Sequence, residues 1–183
     1  MDGQAWLDEV TDQYRGHKDQ CERAAAQVSD DSILAVIGPH SIAILMKHIG
    51  GNLRSRWRDF LTTDGEKRDR NRESEFTDAG ETRASVLEKW EEGWRVAFAS
   101  LAALQPTDLE RKVTIRGQAL SVVQAIHRNL CHVAYHTGQI VLLARYFVGE
   151  DWQTLSVAPG QSEEYNAAMR ARYGDWWARE NSQ

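Results

Sequence analysis

Cysteine is nearly absent from this chain. Cys21 and Cys131 are the only two in 183 residues, which excludes a disulfide-stapled scaffold and suits a reducing interior. Proline is as scarce: Pro39, Pro106 and Pro159 are the only three. An interior proline costs a helix about 3 kcal/mol, so this scarcity leaves long helices free to form between them. No window approaches the ~20 consecutive apolar residues of a membrane span. The opening MDGQAWLDEVTDQYRGHKDQ has no basic region followed by an apolar one, so no targeting segment is expected. These absences predict a soluble, cytoplasmic protein with no membrane partner. Surplus positive charge is missing too. With 22 Lys and Arg against 27 Asp and Glu the formal charge is -5, the wrong sign for gripping a phosphate backbone, and no nucleic-acid partner is expected.

What the chain does have is apolar residues at helical spacing. Its length suits one well-buried core, hence a single domain over 1–183. Leu7, Val10, Tyr14, His17, Cys21, Ala24 and Val28 alternate by three and four, predicting a helix over about 3–29. Ile42, Met46, Ile49, Leu53, Trp57 and Phe60 repeat the spacing and predict a second over about 39–62, with Pro39 in its first turn. TTDGEKRDRNRESEF follows, charged enough to be a loop or solvated segment and long for a mere connection. Asp78 and Glu81 read as a capping box for a third helix, whose stripe of Leu87, Trp90, Trp94, Ala97, Leu101 and Leu104 ends before Pro106. Val113 to Arg116 suits a short extended piece. Val122, Ala125, Asn129, His132, His136, Leu143 and Phe147 define a fourth helix over about 118–148, stopped by Gly149. Ser162 caps a short last helix with Glu163 and Glu164 in its first turn. Strand signals are otherwise scarce. An all-α four-helix bundle with a short C-terminal helix is the simplest way to bury four stripes.

The stretch HRNLCHVAYHTGQIVLLARYF, from His127 to Phe147, sets histidines into an apolar stripe. His132 and His136 are one turn apart on one face. They are either core histidines satisfied by oxygens or ligands that converge on a metal ion. His48, bordering the core of the second helix, is a candidate third ligand. It precedes Gly50 and Gly51, which together cost a helix on the order of 2 kcal/mol and point to a close approach or a bend. His17 reads as a satisfied core residue and His40 as a first-turn surface residue. His127 points away from the pair, and Cys131 reads as a small buried hydrophobe. Arg128, Asn129, Asn52 and Gln139 are polar one turn from the proposed ligands, and Asn52 or Gln139 can accept a ligand's second ring proton.

HVAYHTGQIVLLARY resembles the C-terminal metal motif of the DinB/YfiT-like superfamily, and SIAILMKHIGGNLRSRW matches its earlier histidine element. HIGGNLRSRWRDFLTTDGEK, RNRESEF and WQTLSVAPGQSEEYN resemble one branch of undefined function, so the likeness covers about residues 30–166. It implies an up-down-down-up four-helix bundle, often a homodimer, in which His48, His132 and His136 hold a divalent metal. Relatives include metal-dependent transferases of low-molecular-weight thiols such as bacillithiol, a mycothiol-dependent maleylpyruvate isomerase, and proteins labelled as hydrolases. They share the metal and not the substrate, so fold and metal transfer better than reaction.

Three imidazoles leave a coordination position open, as in catalytic zinc sites, and zinc or nickel is the expected ion. The expected chemistry is activation of a thiol or water toward a small electrophile, as in a thiol transferase or hydrolase. The substrate is then a small molecule, with a low-molecular-weight thiol as its partner. In the charged stretch Arg70 and Arg72 can bind an anionic group, while Asp64, Glu66 or Glu73 can move a proton. Arg54, Arg56 and Arg58 add positive charge near His48. The alternatives are a non-catalytic stress protein that binds a metal or small molecule, and an interaction module whose histidines are only core. Trp152, Trp176 and Trp177 are candidates for a dimer interface.

Overall fold

Short polar side chains start each of the long helices, because the first N–H groups of a helix lack intrahelical partners. Asp2 accepts from the Gln4 N–H at 3.0 Å and opens α1 (Gly3–Ala25). Ser29 opens the short α2 (Asp30–Leu34), and Ser41 opens α3 (Ile42–Trp57). Thr82 and Ser85 cap each other's backbone at α4 (Arg83–Ala103). Ser121 and Gln124 do the same at α5 (Val122–Val148), which Gly149 ends at φ 66°. The computed structural model describes residues 2–77 and 80–174, in two compact units, Met1–Asp151 and Trp152–Gln183.

Several expected boundaries shift. The first helix stops at Ala25, and Ser29 restarts the chain as α2. Ser41, not Pro39, starts α3, which ends at Trp57 because Arg58 is extended and Asp59 takes φ 48°. Phe60 still packs, tilted, 4.8 Å from Trp57, so the apolar spacing runs past the end of the helix. Asp78 lies outside the described residues, and Thr82 takes the capping role assigned to it. The fourth helix starts at Val122, because residues 118–121 are committed to a hairpin. There β1 (Lys112–Ile115) pairs antiparallel with β2 (Gln118–Ser121), across Arg116 and Gly117 at φ 54° and 75°, the backbone that a two-residue hairpin turn demands.

The first unit is mostly helical, with this hairpin as the sheet among the described residues. Helix α3 packs on α4 and α5, and α1 on α5. Glycines set the α3–α4 distance. A Cβ on Gly50 would lie 2.6 Å from Lys89 O, and one on Gly93 would run into Gly50 O. Trp57, Trp90, Trp94 and Tyr14 are fully buried, with the Tyr14 ring edge-on to Trp57 at 5.7 Å and to Trp94 at 6.2 Å. Asn129 ties three helices together. Its Oδ1 accepts from Trp57 Nε1 at 2.9 Å and Tyr14 Oη at 3.0 Å, and its Nδ2 donates to Asn52 Oδ1 at 2.8 Å.

In the second unit α6 (Ser162–Tyr173) carries Glu163 and Glu164 in its first turn and Arg170 and Arg172 in its last, both favourable to the helix dipole. Ser162 is its first helical residue, and Gln161 occupies the cap position without a side-chain bond. Trp152 is half-buried; Trp176 and Trp177 lie outside the described residues. Among the described residues no helix is long and apolar enough to cross a membrane.

Candidate metal centre

Helix periodicity presents His132 and His136 one turn apart on α5, and the α3–α5 packing brings His48 to meet them. One ring nitrogen from each of the three lies within 4.8 Å of the others. The Nε2 atoms of His48 and His132 face each other at 3.0 Å, and the three ring centroids are 4.6 to 5.0 Å apart. His48 and His136 are buried and His132 half-buried.

The outer ring nitrogens show which atoms are left to point inward. Glu75 Oε2 accepts from His48 Nδ1 at 2.8 Å, and Gln139 Oε1 accepts from His136 Nδ1 at 2.7 Å. Each bond places the proton on Nδ1 and leaves the Nε2 lone pair to the cluster. His132 Nδ1 is buried without a hydrogen-bond partner among the described residues. Burial first, then the positive charge of His136, His48, Arg70 and Arg56, pushes the His132 pKa down to about 3. Burial also lowers His136, against the bond to Gln139. His132 and His136 are therefore neutral imidazoles at neutral pH, the form that ligates a cation.

This donor set fits a divalent ion. Ligand atoms in tetrahedral zinc sites, ~2.0 Å from the metal, are about 3.3 Å apart, close to the His48–His132 separation. With no cation between them, two facing nitrogens must share a proton; with one, both lone pairs are used. Gln139 thus stands where a ligand's second nitrogen needs an acceptor. Asn52 does not, being bonded to Asn129.

Glu75 was not anticipated. Of the carboxylates that the sequence offers as proton carriers, Asp64 and Glu66 are held in other bonds and Glu73 lies in water. Asp64 accepts from the backbone N–H groups of Glu66, Arg116 and Gly117 at 2.7 to 2.8 Å. Burial opposes its charge, but these bonds outweigh it and hold the carboxyl far below its usual range. Glu66 takes Arg56 at 2.8 Å and Arg116 at 3.2 Å. Glu73 is 89% exposed, 3.7 Å from Arg72. Glu75 instead is buried and takes two bonds from Arg70, both at 2.8 Å. Burial raises its pKa, and the bonds from His48 and Arg70 more than reverse this. The signal in the sequence was Gly51, where a Cβ would overlap the Glu75 carboxylate.

The remaining candidates are spread around the centre. Arg72 lays its guanidinium over Phe76 at 4.7 Å, and the Phe76 ring lies tilted 4.9 Å from His48. Arg128 is exposed and donates to Gln118 Oε1 at 3.1 Å. His127 packs edge-on to Trp6 at 5.5 Å, away from the cluster. Cys131 is exposed and not a buried hydrophobe. His17 is half-buried and its Nδ1 has no partner among the described residues, and His40 precedes α3 in a bridge with Ile37.

The chain belongs to a family described as a protein of unknown function (DUF1572), whose model matches residues 2–161. That membership is consistent with the DinB/YfiT-like resemblance. No curated protein and no solved structure matches the chain.

Proposed function

We propose that this chain is a metal-dependent enzyme of the DinB/YfiT-like type, in which His48, His132 and His136 hold a zinc or nickel ion. What carries the reading is the convergence of three ring nitrogens with no fourth protein ligand joining them among the described residues. A divalent ion in such a set supplies Lewis acidity, enough to keep a thiol as thiolate or to bring the pKa of water to about 7. The chain's own residues orient the donors. Glu75 fixes the tautomer of His48 and is itself clamped by Arg70, while Gln139 fixes His136. Burial keeps His132 a neutral imidazole. The cluster opens on a cleft of about 200 Å³ that includes His48 and His132 in its wall, room for a small electrophile beside a thiol or water. Thiol transfer or hydrolysis is the reaction this supports.

The reading includes the up-down-down-up bundle of α1, α3, α4 and α5, supported by their pairwise packing. It also includes a homodimer, for which Tyr135, Leu142 and Tyr146 on α5, 65%, 68% and 71% exposed, offer an apolar stripe.

Metal content by inductively coupled plasma mass spectrometry, wild type beside His132→Ala, tests the proposal. About one equivalent of zinc or nickel, lost in the variant, is expected. No bound metal, with no thermal shift on adding divalent ions, would sink it. Metal binding without saturable, metal-dependent turnover of thiol adducts would leave the non-catalytic metal-binding protein instead.

A further inference from the structure

Five arginines, Arg56, Arg70, Arg72, Arg116 and Arg128, line the cleft that contains His48 and His132, and no carboxylate lines it with them. The chain as a whole carries a formal charge of -5, so this concentration of one sign runs against the composition. Carboxylates outside the wall offset part of it. Glu66 serves Arg56 at 2.8 Å, Arg116 at 3.2 Å and Arg70 at 3.5 Å, and Glu75 serves Arg70. Arg56 and Arg70 are thereby fixed, with side chains 12% and 5% exposed.

The other three differ. Arg128 bonds only a neutral amide, Gln118 Oε1, and has no carboxylate partner among the described residues. Besides the Phe76 ring, Arg72 has Glu73 as its one carboxylate partner among the described residues, at 3.7 Å and largely in water, where screening leaves such a pair little strength. Arg116 is 58% exposed and shares Glu66 with two other arginines. Its backbone is fixed by the bond from its N–H to Asp64 at 2.8 Å. Guanidinium groups of this kind suit carboxylate and phosphate oxygens, which they can bind in pairs.

We infer that the cleft takes a small molecule bearing an oxyanion group, carboxylate or phosphate, held by Arg72, Arg116 and Arg128 with its reactive end toward the three histidines. The inference rests on the metal-centre reading for what happens at that end. The anion site stands on the arginines alone. Arg128, one turn before His132 on α5, reaches the group from the helix; Arg72 comes from the segment before α4, and Arg116 from the hairpin. Three separate elements thus converge on one charge.

Isothermal titration at low salt tests this, with succinate and inorganic phosphate as separate probes and succinamide as the uncharged control. Metal-free and zinc-loaded protein are each titrated. One dianion should bind at a single site in both forms, and the tighter of the two assigns carboxylate or phosphate as the natural group. Arg128→Gln and Arg72→Gln should each weaken it at least tenfold with zinc stoichiometry and melting temperature unchanged. Arg54→Gln, in a different cleft, should leave it alone, and succinamide should not bind. The inference is overturned if neither dianion binds, if the arginine variants bind like wild type, or if binding requires zinc and ignores the arginines. Failure of the metal reading looks different: no zinc binds, yet the anion titration and its arginine dependence persist.

Discussion

The two faces of α3 look into two clefts, and the larger is the less promising. Gly50, Arg54 and Arg58, four apart, line a cleft of about 340 Å³ whose wall includes Asp69, Glu75 and Glu92. Most of its cations are answered by carboxylates: Arg58 by Asp69 at 2.5 Å, Arg54 by Glu92 at 3.0 Å, Arg70 by Glu75 at 2.8 Å, and Lys47 and Lys89 together by Glu81, while Lys67 donates to the Asp64 carbonyl. His48, Asn52 and Arg56, also four apart, line the cleft of about 200 Å³ whose arginines have no carboxylate in the wall. One helix therefore carries a largely neutralised surface and a site with unspent donors, two residues or about 200° of rotation apart. Chemistry left unsatisfied marks the site better than volume does.

The comparison is broken most completely at the α3–α4 contact. Gly93→Ala gains up to ~1 kcal/mol of helix propensity, but its Cβ meets the Gly50 carbonyl, and backbone cannot step aside as a side chain can. A net loss of about 3 kcal/mol is expected in urea denaturation; a stability equal to wild type would show that the glycines are not there for close approach. A smaller, more selective break falls on Glu75, which borders the larger cleft yet bonds His48, which faces the smaller. Glu75→Gln should lower zinc affinity about 10- to 100-fold in a chelator competition while the fold survives. Unchanged affinity would remove Glu75 from the centre.

The smallest effect is confined to the larger cleft's side. Burial raises the Glu81 pKa, but bonds from Lys89, Ser85 and Lys47, with the charge of Lys47, bring it down to about 2. Because the folded value lies below the ordinary 4.5, its contribution is present above pH ~4.5 and lost as pH falls toward 2. Glu81→Gln should therefore melt lower than wild type at pH 6, with the gap closing over that window, and zinc binding at pH 7 unaltered. A gap that persists at pH 2 would rule out the carboxylate's charge as its source.

The sequence by itself determined the helices and the meeting of His132 with His136, since both follow from spacing along one helix. It also placed Gln139, three residues from His136, within reach. The Gly50–Gly51 pair told of a close approach or a bend, without deciding between them or naming what approaches. The tertiary structure alone decided that it is α4 at Gly50 and the Glu75 carboxylate at Gly51. The residues around Glu75 have no periodicity to read, and a charged loop looks solvated until packing buries it. The same holds for the hairpin, whose four-residue strands are too short to show alternation, and for Arg116, which reaches the cleft only because the Arg116–Gly117 turn is pinned to Asp64. Periodic elements carry their faces in the sequence. Loops acquire theirs from whatever they fold against, and here they supply the carboxylate behind His48 and three of the five arginines at the cleft.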